Sequence, residues 1–121
     1  MRLFAEIYKA MADETRLMIL HLILRHGEMC VCDVEGVLGV SQSKASRHLR
    51  YLRNAGLLRD RREGIWVYYS ICEDAKDEAG QIVAANKALI LSMETAEAEE
   101  KYQTWMSRKQ KGDSCGVQLL K

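Results

Sequence analysis

Two cysteines one residue apart, Cys30 and Cys32 in Glu-Met-Cys-Val-Cys-Asp-Val, carry the sharpest chemistry in the chain. Thiolates are soft donors and select soft ions. Arg25 and His26, just upstream, favour the thiolate form. Side chains at i and i+2 of a regular helix point to different sides. The pair therefore converges on one ion only where the backbone is extended or distorted, so filling such a site changes the backbone. The plainer reading is two small buried hydrophobes. A trigonal sulfur site needs a third donor, and Cys115 near the C-terminus is the candidate, from the same or a second copy. Cys72 reads as a strand-end or core residue. Asp33 offers a hard-ion contact or, more simply, the N-cap of the third helix.

A second constellation is basic. Residues 44–62 hold seven bases (Lys44, Arg47, Arg50, Arg53, Arg59, Arg61, Arg62) against one acid, Asp60. Residues 73–100 hold eight acids against two bases, so a net charge of +1 conceals a segregated surface. Segregation of this kind marks a nucleic-acid face. Gln42 and Ser43 start the basic segment and suit base edges, and Lys44 and Arg47 follow one turn on. Arg47 can fork onto guanine, whereas Lys44 suits phosphate. Arg61 and Arg62 suit phosphates or the minor groove. His48 lies at the edge of the apolar face and reads as a packed or phosphate-bonding group rather than a base reader.

The elements that must position these residues follow from periodicity. Leu3, Phe4, Ile7, Tyr8 and Met11 predict a helix over 3–11. Asp13 caps a second over 14–26, ended by Gly27. A third covers 31–38 and stops near Gly39. Ser41 caps a fourth, through Ala55, with Ala45, Leu49 and Leu52 inward and Ser43, Lys44, Arg47, Arg50, Tyr51 and Asn54 outward. Two helices joined by a two-residue turn, the second one basic, form a helix-turn-helix. Leu57–Ile71 then reads as a β-hairpin wing, with Arg62-Glu63-Gly64 as turn and Arg61 and Arg62 at or near its tip. Residues 74–108 read as one long helix, too apolar for a lone surface element. The expected fold is a dimeric winged helix-turn-helix, mainly α with a β-hairpin wing, in the order α-α-α-α-β-β-α. Residues 1–108 form the DNA-binding and dimerisation domain, and 109–121 a flexible tail.

The chain has 121 residues, the size of one domain. Apolar residues make up 48%, enough for a core with little surplus, which favours a homodimer that shares one. No apolar run reaches the roughly 18 residues of a membrane span. The N-terminus carries early acids and no signal-peptide core, so a cytoplasmic location with reduced thiols is expected. No Cys-x-x-Cys sits in a βαβ setting, and no His/acid pair accompanies a nucleophile, so an enzyme is not expected.

The segment EMCVCDVEGVLGVSQSKASRHLRYLRNAGLLRDRREGIWVYYSI resembles the ArsR/SmtB family of metalloregulatory repressors. The earlier ADETRLMIL is similar to that family's second helix, and the resemblance covers roughly residues 1–71. It implies a dimeric winged helix that represses without its ion and leaves an inverted-repeat operator when the ion binds. It implies Cys30 and Cys32 as ligands, as in the family's arsenite and cadmium/lead sensors, and Ser43, Lys44, Ser46 and Arg47 as DNA contacts. Two departures stand out. Glu35, Gly36 and Val37 occupy the region where the arsenite pattern has a third cysteine, and no cysteine precedes Cys30 as in the cadmium/lead pattern. With His21, His26 and His48 the only histidines, the carboxylate/His site of zinc and nickel sensors looks absent.

The combined expectation is a repressor whose inducer is arsenite or antimonite. Its ligands are Cys30, Cys32 and Cys115, and its DNA contacts Gln42, Ser43, Lys44, Ser46, Arg47, Arg50, Arg61 and Arg62. Cadmium or lead sensing, thiol redox sensing on the same fold, and a winged-helix adaptor are the rivals.

Overall fold

The structure is a computed structural model and describes residues 1–93 and 95–110. Helix α1 (Arg2–Met11) leads into α2 (Glu14–His26), where the Asp13 carboxylate accepts from the Arg16 N–H at 3.0 Å. The chain then crosses a two-residue strand, β1 (Met29–Cys30), into α3 (Val31–Leu38). Gly39 takes a left-handed conformation (φ +67°), which L side chains adopt at a cost, and turns the chain into α4 (Gln42–Asn54). There the Ser41 hydroxyl accepts from Lys44 N–H at 3.2 Å.

Strands β2 (Leu58–Glu63) and β3 (Trp66–Ile71) form the hairpin. Its loop is Gly64–Ile65, because Glu63 still pairs with Trp66. A positive φ at Gly64 alone matches a type II′ turn, whose twist suits the strands better than the expected Arg62-Glu63-Gly64 turn. The sheet has three strands in the order β1-β3-β2, with Cys30 opposite Tyr68 and Met29 opposite Tyr69. The short strand β1 was not expected, since two residues leave no alternation to read.

The expected single helix over 74–108 is two: α5 (Glu78–Leu91) and α6 (Ala96–Gln110). The element order therefore gains a strand and a helix over α-α-α-α-β-β-α. His21, fully buried on α2, stands at the break. Its Nδ1 lies 2.9 Å from the Ile90 carbonyl and its Nε2 2.9 Å from Thr95 Oγ1. A carbonyl only accepts, so the proton is on Nδ1 and the ring caps the end of α5. The Ser92 hydroxyl also donates to the Leu89 carbonyl at 2.7 Å. These bonds replace the helical ones that a continuous helix would need, and α6 folds back onto α3.

The core joins Ile7, Leu20, Leu22, Val34, Leu49 and Leu52 from four helices, all at most 1% exposed. The inward face of α4 (Ala45, Leu49, Leu52) is as expected. Residues 109 and 110 continue α6, and the rest of the expected tail, 111–121, lies outside the described residues.

Candidate ion site and nucleic-acid interface

Cys30 is the N-cap of α3 with an extended backbone (φ −93°, ψ 174°), and Cys32 is the second residue of the helix. The pair thus straddles the change from strand to helix, the irregular backbone its spacing requires. Cys30 is buried and Cys32 half-buried. Both line one cavity of about 300 Å³, with Val31, Glu35, Gln42, Ile65, Trp66 and Val67. Its walls therefore come from the start of α3, the start of α4 and the tip of the hairpin. Burial pushes the Glu35 carboxyl above its ordinary range.

The cap itself is reciprocal. The Cys30 sulfur faces the Asp33 N–H, and Asp33 Oδ2 accepts from the Cys30 N–H at 3.0 Å. Asp33 is therefore the third helical residue of a capping box and not the N-cap. Its other oxygen accepts from the Trp105 indole at 2.7 Å and from Lys109 Nζ at 2.8 Å. Burial alone would raise the Asp33 pKa, but Lys109, the indole and the Cys30 N–H more than offset it and hold the carboxyl below its ordinary range. Arg25 and His26, expected to favour the thiolates, instead face Glu99 of α6 at 3.4 and 2.7 Å.

Among the described residues, no three His, Cys, Asp or Glu groups gather where they could hold a metal ion. Two sulfurs on one cavity suit a soft thiophilic ion that takes its remaining donor from elsewhere. Cys115 lies outside the described residues. Cys72 is buried at the end of β3, with its N–H donating to the Leu57 carbonyl at 3.0 Å, the strand-end role expected of it.

The basic face is intact on α4. Gln42, Ser43, Lys44, Arg47 and Arg50 are exposed and Ser46 half-exposed. Gln42, Ser43, Ser46, Arg47 and Arg50 line one shallow depression. His48 is buried, with its Nδ1 3.3 Å from an Arg16 guanidinium nitrogen, which fits the packed reading. The two wing arginines differ. Arg62 is exposed, one pair from the loop-closing Glu63–Trp66. Arg61 is held on the protein: its guanidinium meets Glu28 at 2.5 and 3.0 Å and Glu63 at 2.7 Å, over the Tyr68 ring. The side chains that sequence reasoning missed are Glu28, Trp66, Glu99, Trp105 and Lys109. Glu28 and Trp66 lie within the segments quoted above and Glu99, Trp105 and Lys109 outside them, but the role of each rests on a contact distant in sequence.

A helix-turn-helix with an exposed basic second helix, followed by a β-hairpin, defines the winged helix-turn-helix class. The description "Bacterial regulatory protein, arsR family" matches residues 13–60. The arsenical resistance operon repressor of Escherichia coli is 46% identical over 78 residues, 64% of this chain and 67% of that protein. An arsenic resistance transcriptional regulator of Pseudomonas putida is 52% identical over 65 residues, 54% of this chain and 51% of that protein. The match thus spans about half of the latter relative. Among solved structures, a homodimeric winged helix-turn-helix DNA-binding domain from Mycobacterium bovis matches with a TM-score of 0.59 and 37% identity, covering 74% of this chain and 75% of that one. The chain belongs to the arsR family of bacterial regulatory proteins, which are transcriptional regulators and not enzymes. No described helix is long and apolar enough to cross a membrane.

Proposed function

We propose that the protein is a homodimeric, cytoplasmic repressor that holds an inverted-repeat operator and is released when arsenite or antimonite binds cysteine thiolates. The observation that carries this reading is the shared cavity of Cys30 and Cys32. Its other walls, Gln42 and the Ile65–Val67 hairpin tip, belong to the two elements that would touch DNA. Drawing the sulfurs together around an ion moves the start of α3 against both.

Arsenite, As(OH)3, loses hydroxyls as water while each thiol yields its proton, so three As–S bonds replace three As–O bonds. Cys115 supplies the third sulfur. It lies six residues beyond Lys109, whose ammonium reaches Asp33, and six residues span up to about 20 Å. Gln42, Ser43, Lys44, Ser46, Arg47 and Arg50 enter the major groove, and Arg61 and Arg62 lie along the backbone. Dimerisation uses α1 and α5, where Leu3, Phe4 and Leu89 are exposed and Asn86 Nδ2 donates to Tyr8 Oη at 3.3 Å. The M. bovis domain's homodimeric assembly supports it. Allosteric coupling is typically about 1–3 kcal/mol, which weakens operator binding by roughly 5–150-fold.

The test is operator release from the reduced full chain during titration with arsenite. Release should fail in Cys30→Ser and Cys32→Ser and weaken in Cys115→Ser. Normal release from the double variant would refute the reading. A cadmium resistance transcriptional regulatory protein homolog of Staphylococcus aureus, 43% identical over 70 residues, favours cadmium as the second reading, with lead its soft-ion neighbour. Parallel titrations with cadmium and lead separate the two.

A further inference from the structure

Helix α6 grips the cysteine segment on both sides. Upstream, the His26 ring stacks on Tyr102 with centroids 3.8 Å apart, and His26 Nε2 lies 2.7 Å from Glu99. Downstream, Trp105 and Lys109 hold Asp33. Trp105 is itself 8% exposed, and its ring lies so close to the α3 backbone that a methyl group at Gly36 would overlap it. The family match ends at residue 60, well short of this helix.

We propose that Asp33 is a positioning residue of the ion site: through Trp105 and Lys109, α6 holds Cys30 in its ion-free arrangement, and ion capture is felt at Trp105. This rests on the reading that Cys30 takes the ion. The Cys30 sulfur is half of a reciprocal cap. Closing on an ion beside Cys32 draws that sulfur away from the Asp33 N–H. The other half of the cap, the Cys30 N–H, ends on the same carboxylate as the indole and the ammonium. A buried carboxylate with three donors moves only if its partners move or are left unpaired. Displacement at Cys30 therefore reaches α6. By linkage, loosening α6 makes the ion easier to capture.

The experiment is fluorine NMR of the reduced full chain labelled with 5-fluorotryptophan, titrated with arsenite in parallel with operator release. The two resonances, Trp66 and Trp105, are assigned with Trp66→Phe. Both should move in the unaltered protein. In Asp33→Asn the Trp105 signal should stop responding while the Trp66 signal still does. Trp105→Phe keeps a ring but loses the N–H, and Gly36→Ala displaces that ring. Both should release operator at an arsenite concentration lower by about fivefold. A merely structural contact would not lower that concentration. A Trp105 signal that stays still while Trp66 moves and operator leaves would overturn the proposal, as would release from both variants at the unaltered concentration or above. If arsenite neither shifts Trp66 nor releases operator, the ion reading falls and takes the coupling with it. The measurement on the unaltered chain decides even if a variant fails to fold.

Discussion

His48 lies on α4 between Arg47 and Leu49, yet it adds nothing to the basic face. Burial pushes its pKa below the ordinary 6.5, and the nearby Asp13 carboxylate pulls it back only in part. Arg16 only donates, so Nδ1 accepts and the ring packs uncharged at neutral pH. A histidine whose folded pKa is depressed contributes stability that is full above its unfolded pKa. That contribution is lost as pH falls towards the folded value. The advantage of the native chain over His48→Gln in thermal midpoint should therefore shrink from pH 7 to pH 5. An advantage that grew on acidification would contradict the packing seen here. The sequence placed His48 at the edge of an apolar face, which was sound, but its partner Arg16 is 32 residues away.

The hairpin shows how pairing register sorts two adjacent, chemically equal residues. Arg61 pairs with Tyr68 and Arg62 with Val67, and successive side chains leave opposite faces of the sheet. The face of Arg61 carries Tyr68 and meets Glu28, just before β1, so its guanidinium bridges the sheet edge to edge. An exposed ion pair adds little to stability, but a phosphate must still displace two carboxylates to use Arg61. Among the described residues, no carboxylate pairs with Arg62 in this way. Arg62→Ala should thus weaken operator binding more than Arg61→Ala and lower the salt slope by about 1, measured by operator titration at several salt concentrations. Equal losses would show that DNA strips Arg61 of its carboxylates. The run of β-formers and the turn residues put both arginines at the wing; only the register separates them.

Across the whole molecule, exposed apolar side chains among the described residues gather on α1 and α5, with Ile65 at the hairpin tip apart from them. Leu89 is 66% and Leu3 57% exposed. Burying such a side chain in a dimer is worth about 2 kcal/mol per copy. Leu89→Asp should shift the chain towards monomer in sedimentation and weaken operator binding, since each copy would bring only one recognition helix. A variant that stayed dimeric would move the interface elsewhere.

Local rules decided the first four helices and the hairpin: caps at Asp13 and Ser41, a left-handed glycine at 39, and apolar period along α4. Each is a matter of residues within about one turn of one another, so each is written in consecutive sequence. The pairing of two thiols with a basic helix was legible for the same reason. The fold-back of α6 was not. It depends on His21 capping Ile90 and on Asp33 meeting Trp105, contacts 69 and 72 residues apart. Contacts that distant leave no periodic trace, and an apolar stripe says that a helix must be covered without saying by what. Tertiary packing alone chose α3, and with it gave the cysteine segment a partner that its motif does not contain.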